Sequence, residues 1–463
     1  MKRGLLDRTS GRCAVLALVC FVATIGGAAA GSRREARNLV LISVDTLRAD
    51  RLGCYGNPRP TSPRLDALAQ AGVLFEDAST AAPWTKPAHA TLLTGLYPSR
   101  HGMTSMTSTL ANSAVPIAEW LSRRGFRTAA IVNTRLMATH GFERGFDTVD
   151  ASELPHGQAA GSGITDAAIA WLSAQGTKKR FFLFLHYMDM HSDYESTPEH
   201  REQFVGPYDG PLRGSTQELY RIAERRLDPT DADLRHLLDL YDASLRQTDS
   251  HLGRLFDALR ASGRLDTTLI VVTSDHGEEF LDHGGVLHGH SQYQELVRVP
   301  LVLHGPGVAA GRRQREPVSL VDVVPTALGL LGVPAPTDLD GIPLEPLWQT
   351  PGSTLPARFL FFEADITFPP PAPGVTPPGT RRAVRFGKYK LHYDTRTRQV
   401  QLYDLDQDPR ETRNLRETQP EIAGALLDRL TAFLERPAAS APGRELTVEQ
   451  LEALRSLGYV GGP

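Results

Sequence analysis

Short apolar runs punctuate the chain, and each closes on polar residues. Residues 38–44 (NLVLISV) stop at Asp45, and similar runs recur at 128–132, 181–185, 269–273 and 299–303. Runs of this length without polar alternation predict strands buried on both faces, as in a parallel sheet. Between them apolar residues return every three or four positions. That spacing predicts helices over 62–71, 114–123, 165–174 and 231–261. Strand–helix alternation predicts an α/β fold, a mostly parallel sheet sandwiched by helices. Ligands of such sheets bind beyond the carboxyl ends of the strands, so the polar residues there are the candidates for chemistry. Residues 193–228, rich in Pro, Gly and charge, predict an irregular loop, or else a lid. Residues 364–380 (ADITFPPPAPGVTPPGT) hold too much proline for regular structure. Beyond them, alternating segments at 382–386, 389–393 and 399–402 predict a small antiparallel sheet, followed by a helix over 420–434. The sequence contains no internal repeat.

Residues 1–30 follow another pattern. Lys2, Arg3, Arg8 and Arg12 make a basic start, residues 14–25 (AVLALVCFVATI) are apolar, and Ala28-Ala29-Ala30 offers a small-residue cleavage site. A membrane span needs about 20 apolar residues. The segment therefore predicts an export signal, a mature chain starting near Gly31, and a secreted or periplasmic protein with no remaining span. Val19 before Cys20 argues against a lipoprotein, which wants a small residue there.

Composition narrows the class. The chain has 463 residues, 41% hydrophobic and 22% charged, which places it among globular proteins. Its length predicts one large α/β domain and a smaller one. Lys+Arg number 50 against 53 Asp+Glu, a net charge of -3, which excludes a general nucleic-acid binder. Signal cleavage removes four of those basic residues and one acid, Asp7, leaving a net charge of -6. Three cysteines exclude a disulfide scaffold. Cys13 and Cys20 leave with the signal, so Cys54 has no partner for an internal disulfide.

Five strand ends or adjacent loops carry groups with chemistry. Asp45 follows the first run, where a carboxylate is costly unless it caps a helix or binds a metal. Taken alone, the cap is the commoner use. In PWTKPAHATLLTG (83–95), Thr85 falls at a helix start with Pro87 in the first turn. A helix N-terminus presents unpaired N–H groups to an anion. A hydroxyl there can attack an ester while those groups hold its phosphate or sulfate; the plainer alternative is an N-cap. In TSDHGEE (273–279), Asp275 and His276 reach one metal only if the chain turns, because neighbours on a continuing strand face opposite ways. HGGVLHGH (283–290) holds three of the chain's 15 histidines, one of them expected to be an ordinary surface residue. HYMDMH (186–191) closes the run FFLFL; His186 reads as structural, Asp189 and His191 as loop groups. Histidine serves both as metal ligand and as acid–base group. Each segment alone is weak. Together they set Asp, Thr, Asp-His and several histidines at successive strand ends. A metal held by such groups lowers the pKa of a coordinated threonine hydroxyl. The remaining histidines are left to bind the oxyanion or protonate the leaving group.

In this order the motifs resemble the sulfatase family of the alkaline phosphatase superfamily, over roughly residues 38–436. NLVLISVDTLRAD is similar to the family's first metal-binding strand, TKPAHATLLTG to its nucleophile motif with YPSRHG after it, and TSDHGEE to its second metal-binding segment. YQELVRVPLVLHGPG resembles the usual continuation, LYDLDQDPRETRNL the C-terminal signature, and LRSLGYVGG a tail of many bacterial members. The resemblance implies a phosphatase-like sheet, with a signal at 1–30, a catalytic α/β domain at 31–355 and a C-terminal α+β subdomain with a small antiparallel sheet at 356–463. It places Asp45, Thr85, Asp275 and His276 on a metal and makes Thr85 the nucleophile. It assigns His191 to the substrate and His288 to a histidine of phosphoethanolamine and phosphoglycerol transferases. Lys86 and His89 are expected to bind substrate.

The departures shape the expected chemistry. Sulfatases with a formylglycine need Cys or Ser where this chain has Thr85, and threonine cannot give that aldehyde. His89 replaces the motif's arginine, Thr46 its second acid, His276 its asparagine, and Asn133-Thr134-Arg135 its Lys-x-His. Calcium prefers oxygen ligands, so His276 favours zinc or manganese. A second metal is expected if Asp189, His191 or His288 complete a site. The leading expectation is an exported metal-dependent hydrolase using Thr85 on phosphate mono- or diesters, phosphonates or sulfate esters. Its substrate is a small anionic ester, free or carried on a glycan or lipid. The alternatives are a phosphoethanolamine- or phosphoglycerol-type transferase and a sulfuric ester hydrolase proper. A catalytically silent binding protein is opposed by the complete Asp45, Thr85, Asp275 and His276 set.

Overall fold

Nine strands form the central sheet, and the run that opens the sequence pattern lies in its middle. The computed structural model describes residues 35–151, 160–176, 178–350, 352–365 and 380–436. The expected signal segment, most of the proline-rich stretch and the C-terminal tail lie outside the described residues. The strands are β1 (Asn38–Val44), β2 (Val73–Ser79), β3 (Arg127–Val132), β4 (Thr148–Asp150), β5 (Phe181–Tyr187) and β6 (Thr268–Thr273). A two-stranded hairpin, β7 (Glu279–Phe280) and β8 (Val286–Leu287), precedes β9 (Arg298–His304), β10 (Arg312–Gln314) and β11 (Val318–Ser319). The order is β10-β2-β9-β6-β1-β5-β3-β4, with β11 also on β2. Only β9 runs against its neighbours β2 and β6; the other pairings are parallel.

Every residue of β1 is buried, because both faces of the sheet are covered. Side chains alternate between faces along a strand. Val40, Ile42 and Val44 accordingly join Leu65, Leu68, Ile164, Leu172, Leu240 and Leu252 on one face. Leu39 and Leu41 join Leu92, Leu93, Ile117, Leu121, Val324 and Leu328 on the other. The helices behind these contacts are Pro63–Gln70, Ala160–Ala174 and Asp231–Ala261 on the first face. Those on the second are Thr85–Thr94, Ile117–Ser122 and Val323–Leu330. This is the α/β sandwich expected.

The strands β4, β10 and β11 and the helix Val323–Leu330 were not expected, and four further features depart from expectation. β2 (VLFEDAS) was not foreseen, since Glu76 and Asp77 interrupt its apolar run; both are half-buried and take arginine partners, Arg313 and Arg385. β9 was expected to be parallel. Residues 193–228 are not an irregular loop, since they hold helices Pro198–Phe204 and Thr216–Ala223. The second helix begins on a capping box in which Ser215 accepts from the Glu218 N–H, a local signal for a helix start. Finally, the C-terminal sheet has an extra strand, β12 (Phe359–Ala364), before β13 (Arg381–Phe386), β14 (Tyr389–Asp394) and β15 (Val400–Asp404). One face of that antiparallel sheet packs on the helix Pro420–Leu434 through Val384, Leu391, Leu402, Leu426 and Leu430. The other packs Leu360, Phe362 and Ala383 on Leu296 and Val297. From Glu35 onward the described chain is one compact unit, and none of its helices is long and apolar enough to cross a membrane.

Candidate active site

Three central strands deliver their carboxyl ends to one place. The register pairs Ser43 of β1 with His186 of β5 and with Thr273 of β6. Asp45 and Asp275 therefore emerge side by side. The chain turns at once after each strand. Thr46 has φ 55, in the left-handed region, and its hydroxyl is spent on the Met190 carbonyl at 2.9 Å. Ser274 accepts from the Leu47 N–H at 2.9 Å and donates to the His276 carbonyl at 2.5 Å, tying the two turns together. Gly277 is required next, because a Cβ there would lie 1.9 Å from the Glu295 carbonyl oxygen. The helix Thr85–Thr94 points its first residue at the same spot, with Thr85 at its first helical position and Trp84 as its cap residue. The cap alternative for Thr85 is thereby removed.

Four ligand-type atoms converge. Asp45, Asp275 and His276 each offer one atom to a buried group whose members lie within 4.8 Å of one another. His276 Nε2 is 3.6 Å from Asp45 Oδ1, 3.3 Å from Asp275 Oδ2 and 3.5 Å from Thr85 Oγ1. Atoms bound at about 2.0–2.2 Å to a tetrahedral ion sit about 3.3–3.6 Å apart. Asp45 Oδ1 and Asp275 Oδ2 are fully buried and receive no hydrogen bond. The histidine tautomer follows from its other nitrogen. Nδ1 donates to the Gly277 carbonyl at 2.9 Å, which leaves Nε2 as the ring nitrogen turned towards those two oxygens. Two unpartnered carboxylate oxygens and an imidazole nitrogen facing one another in a dry site are a donor set for a cation. The residues fit a divalent metal.

The titration behaviour agrees. Burial pushes the Asp275 carboxyl up to about 7, aided by the neighbouring Asp45 carboxylate. Burial works on Asp45 too, but the hydrogen bond from His186 and the nearby His276 hold it well below the usual range. His186 donates from Nε2 to Asp45 Oδ2 at 3.1 Å, fixing the ligand from behind. Read from the sequence as structural, His186 is part of the site. Its signal was its place at the end of β5, in register with Ser43.

His89, expected on the substrate, has both nitrogens engaged inside the fold. Nδ1 donates to the Thr85 carbonyl and Nε2 accepts from the Ser43 hydroxyl, each at 2.9 Å. His89, His186 and Asp275 form a second buried group of ligand type. With the nitrogens so committed, that group supports the first rather than offering a separate metal position. Lys86, also expected on substrate, donates to the carbonyls of Met106 and Ser108 at 2.6 and 2.9 Å, and burial brings its pKa down to about 7. Asp189 accepts from the Gly161 N–H and the Gln247 amide, and joins neither group.

His191 and His288 flank the ligands, their rings 5.2 Å apart, with His288 4.3 Å from His276. Burial holds both well or somewhat below the usual histidine range, as neutral rings. His191 donates from Nδ1 to the Ser192 carbonyl at 2.9 Å. His288 Nδ1 pairs with Glu278 Oε1 at 3.3 Å. Glu278, which the sequence reading passed over, is fully buried and pushed well above the usual carboxyl range by burial and by Asp45.

The other two histidines of the loop turn outward from the ligands. His290 pairs with Glu279 at 2.6 Å. His283 donates from Nδ1 to Glu295 at 2.7 Å and from Nε2 to the Glu411 carbonyl at 3.2 Å, so its ring carries both protons. Burial opposes that charge, yet Glu295 and Glu411 raise the pKa to about 9. An unfolded histidine titrates near about 6.5. The folded state thus binds this proton more tightly, and the stability it contributes is complete below about pH 6.5 and lost as pH rises through 9. The thermal midpoint of the wild type is expected to fall more steeply from pH 7 to about pH 9.5 than that of His283→Asn. Parallel curves would contradict the assigned charge.

Comparison with known proteins gives the same region a family context. A family model described as Sulfatase matches residues 37–333, and one described as N-sulphoglucosamine sulphohydrolase, C-terminal, matches residues 282–436. The chain is 28% identical to human arylsulfatase A over 88% of its length and 90% of that protein's. It is 26% identical to the choline-sulfatase of Rhizobium meliloti, covering 91% of this chain and 92% of that one. The phosphonate monoester hydrolase of Silicibacter pomeroyi shares the fold, with a TM-score of 0.71 at 21% identity, over 88% of this chain and 99% of that one.

Proposed function

The chain belongs to the sulfatase family of the alkaline phosphatase superfamily, a hydrolase of sulfuric or phosphoric esters, and we propose that it is an exported, metal-dependent enzyme whose nucleophile is Thr85. The carrying observation is the convergence of Asp45 Oδ1, Asp275 Oδ2 and His276 Nε2 beside the Thr85 hydroxyl. These four residues would hold the metal. When bound, a divalent ion lowers the pKa of the threonine hydroxyl and neutralises charge on the ester.

The residues divide the remaining work. Thr85 Oγ attacks phosphorus or sulfur, forming a bond to it as the bond to the leaving oxygen breaks. Thr85 gives its proton to solvent water, and the departing alkoxide takes one from solvent water. His288 donates from its ring to the leaving oxygen, where negative charge develops. Water then attacks the threonyl ester, restoring the Thr85 hydroxyl and releasing phosphate, phosphonate or sulfate. His191, whose Nδ1–H is committed to Ser192, offers Nε2 as acceptor for the water's proton. Burial of Thr85 and the ligands excludes other water from the covalent ester.

Named relatives act on sulfate esters and a structural neighbour on phosphonate monoesters. Thr85 supports one of these classes over the other. A formylglycine hydrate can expel sulfate by collapsing to its aldehyde, whereas a threonyl ester must be cut by water at the transferred group. That route suits phosphorus esters. Zinc or manganese is preferred over calcium because His276 ligates through nitrogen. With manganese or zinc added, nitrophenyl phosphate, a phosphodiester or a phosphonate ester should exceed nitrophenyl sulfate by more than about tenfold in kcat/KM, about 1.4 kcal/mol at the transition state. Faster sulfate turnover would reject the phosphorus preference. Transfer of the phospho-alcohol group to an added glycan or lipid acceptor in place of water would move the enzyme to the transferases.

A further inference from the structure

The loop that carries His288 is not held by its own hairpin alone. Leu281 and Leu287 have φ of 62 and 69, a left-handed conformation that a leucine keeps only when its surroundings impose it. Leu287 immediately precedes His288. Within the loop, Glu279 accepts from the N–H groups of His283 and Gly285 at 2.9 and 2.7 Å. Arg48 holds Asp282 and Glu279 holds His290, and a further restraint comes from the C-terminal sheet.

Glu411, in the turn after β15, is fully buried and reaches both sides of the loop. Its Oε2 accepts from the Gln294 N–H at 2.7 Å, and its carbonyl accepts from His283 Nε2 at 3.2 Å. Lys390 and His392 of β14 hold the carboxylate at 3.2 and 2.7 Å. Lys390 also donates to the Gln292 carbonyl at 2.5 Å. Residue 294 is thus fixed to the Glu411 carboxylate, residue 292 to its partner Lys390 and residue 283 to the Glu411 backbone carbonyl, and His288 lies between them. Burial raises the cost of the Glu411 carboxylate, but Lys390 and His392 outweigh it and hold its pKa at about 2.

We propose that Glu411 is a positioning residue for His288, acting from the C-terminal sheet through the loop 283–294. It rests on the reading above, in which His288 serves the leaving oxygen. Glu411 touches neither Thr85 nor the ligand set, so its loss should misplace one catalytic group and spare the others. A misplaced donor matters most when the leaving oxygen is basic. Nitrophenoxide leaves with little help, and phenoxide needs it.

The test compares wild type, His288→Ala and Glu411→Gln on nitrophenyl and phenyl phosphate, with metal content and thermal midpoint measured for each. Glu411→Gln should lose about 10- to 100-fold in kcat on the phenyl ester, up to the scale of losing one hydrogen-bond donor to developing charge. On the nitrophenyl ester it should lose less than about threefold, with KM and metal content unchanged. Should Glu411→Gln fail to fold, His283→Asn, which frees one side of the clamp, should show the same leaving-group bias. A bias in His288→Ala but not in the clamp variants overturns the role of Glu411 alone. Absence of bias in His288→Ala overturns the leaving-group reading and the proposal with it. Equal losses on both esters would make Glu411 merely structural.

Discussion

Thr85→Ala is expected to lower kcat on nitrophenyl phosphate by at least about 10⁴-fold, on the pattern seen when a covalent nucleophile is removed. The change should leave the fold intact. Thr85 stands at the first position of the helix Thr85–Thr94, Trp84 precedes it as the cap residue, and alanine is the better helix former. The Thr85 backbone carbonyl, which receives His89, is untouched. Asp45, Asp275 and His276 still converge, so metal content should stay near that of the wild type. Thr85→Ser keeps the hydroxyl and should retain activity within about 100-fold. Trapped wild-type enzyme should carry the transferred group on the peptide containing Thr85, and the alanine variant should carry none. Turnover of phosphate or sulfate that survives Thr85→Ala would sink the proposed nucleophile.

Much of this arrangement was readable from the chain, for a physical reason. A strand buried on both faces cannot alternate, so NLVLISV, FFLFL and LIVV announce themselves, and polar residues at their ends have nowhere to lie but the sheet's edge. That logic singled out Asp45, Asp275 and His276, which the structure brings together. It failed where pairing decides the outcome. β9 has the composition of a parallel strand, and only its neighbours β2 and β6 show that it runs the other way. β2 was hidden by two acids whose arginine partners are distant in sequence. His186 and Glu278 belong to the site through contacts to Asp45 and His288, which spacing alone does not disclose. His89 shows the converse: its place where the family motif carries an arginine implied a substrate contact, whereas its ring fills the interval between Thr85 and Ser43.

Changing His276 should alter which metal the protein accepts, with an effect second only to loss of Thr85. The ring would bind a metal through Nε2, because Nδ1 is tied to the Gly277 carbonyl. His276→Asn replaces this nitrogen with an amide oxygen on a shorter side chain and makes the set Asp, Asp, Asn and Thr, all oxygen. Oxygen sets suit calcium or magnesium, and imidazole suits zinc and other transition metals. Wild type stripped with a chelator should regain activity with zinc or manganese and not with calcium. His276→Asn should lose more than about 100-fold with zinc, at the upper end of what even an outer-shell change costs a metal site, and should rank calcium or magnesium higher than wild type does. A second readout avoids catalysis. A metal that binds only the folded state raises the thermal midpoint with its concentration. Zinc should therefore stabilise the wild type and Thr85→Ala, and should fail to stabilise Asp45→Asn, which blunts the carboxylate whose Oδ1 receives no hydrogen bond within the protein. Equal stabilisation of Asp45→Asn by zinc would place the ion elsewhere, and restoration of stripped wild type by calcium alone would show that His276 does not set the choice.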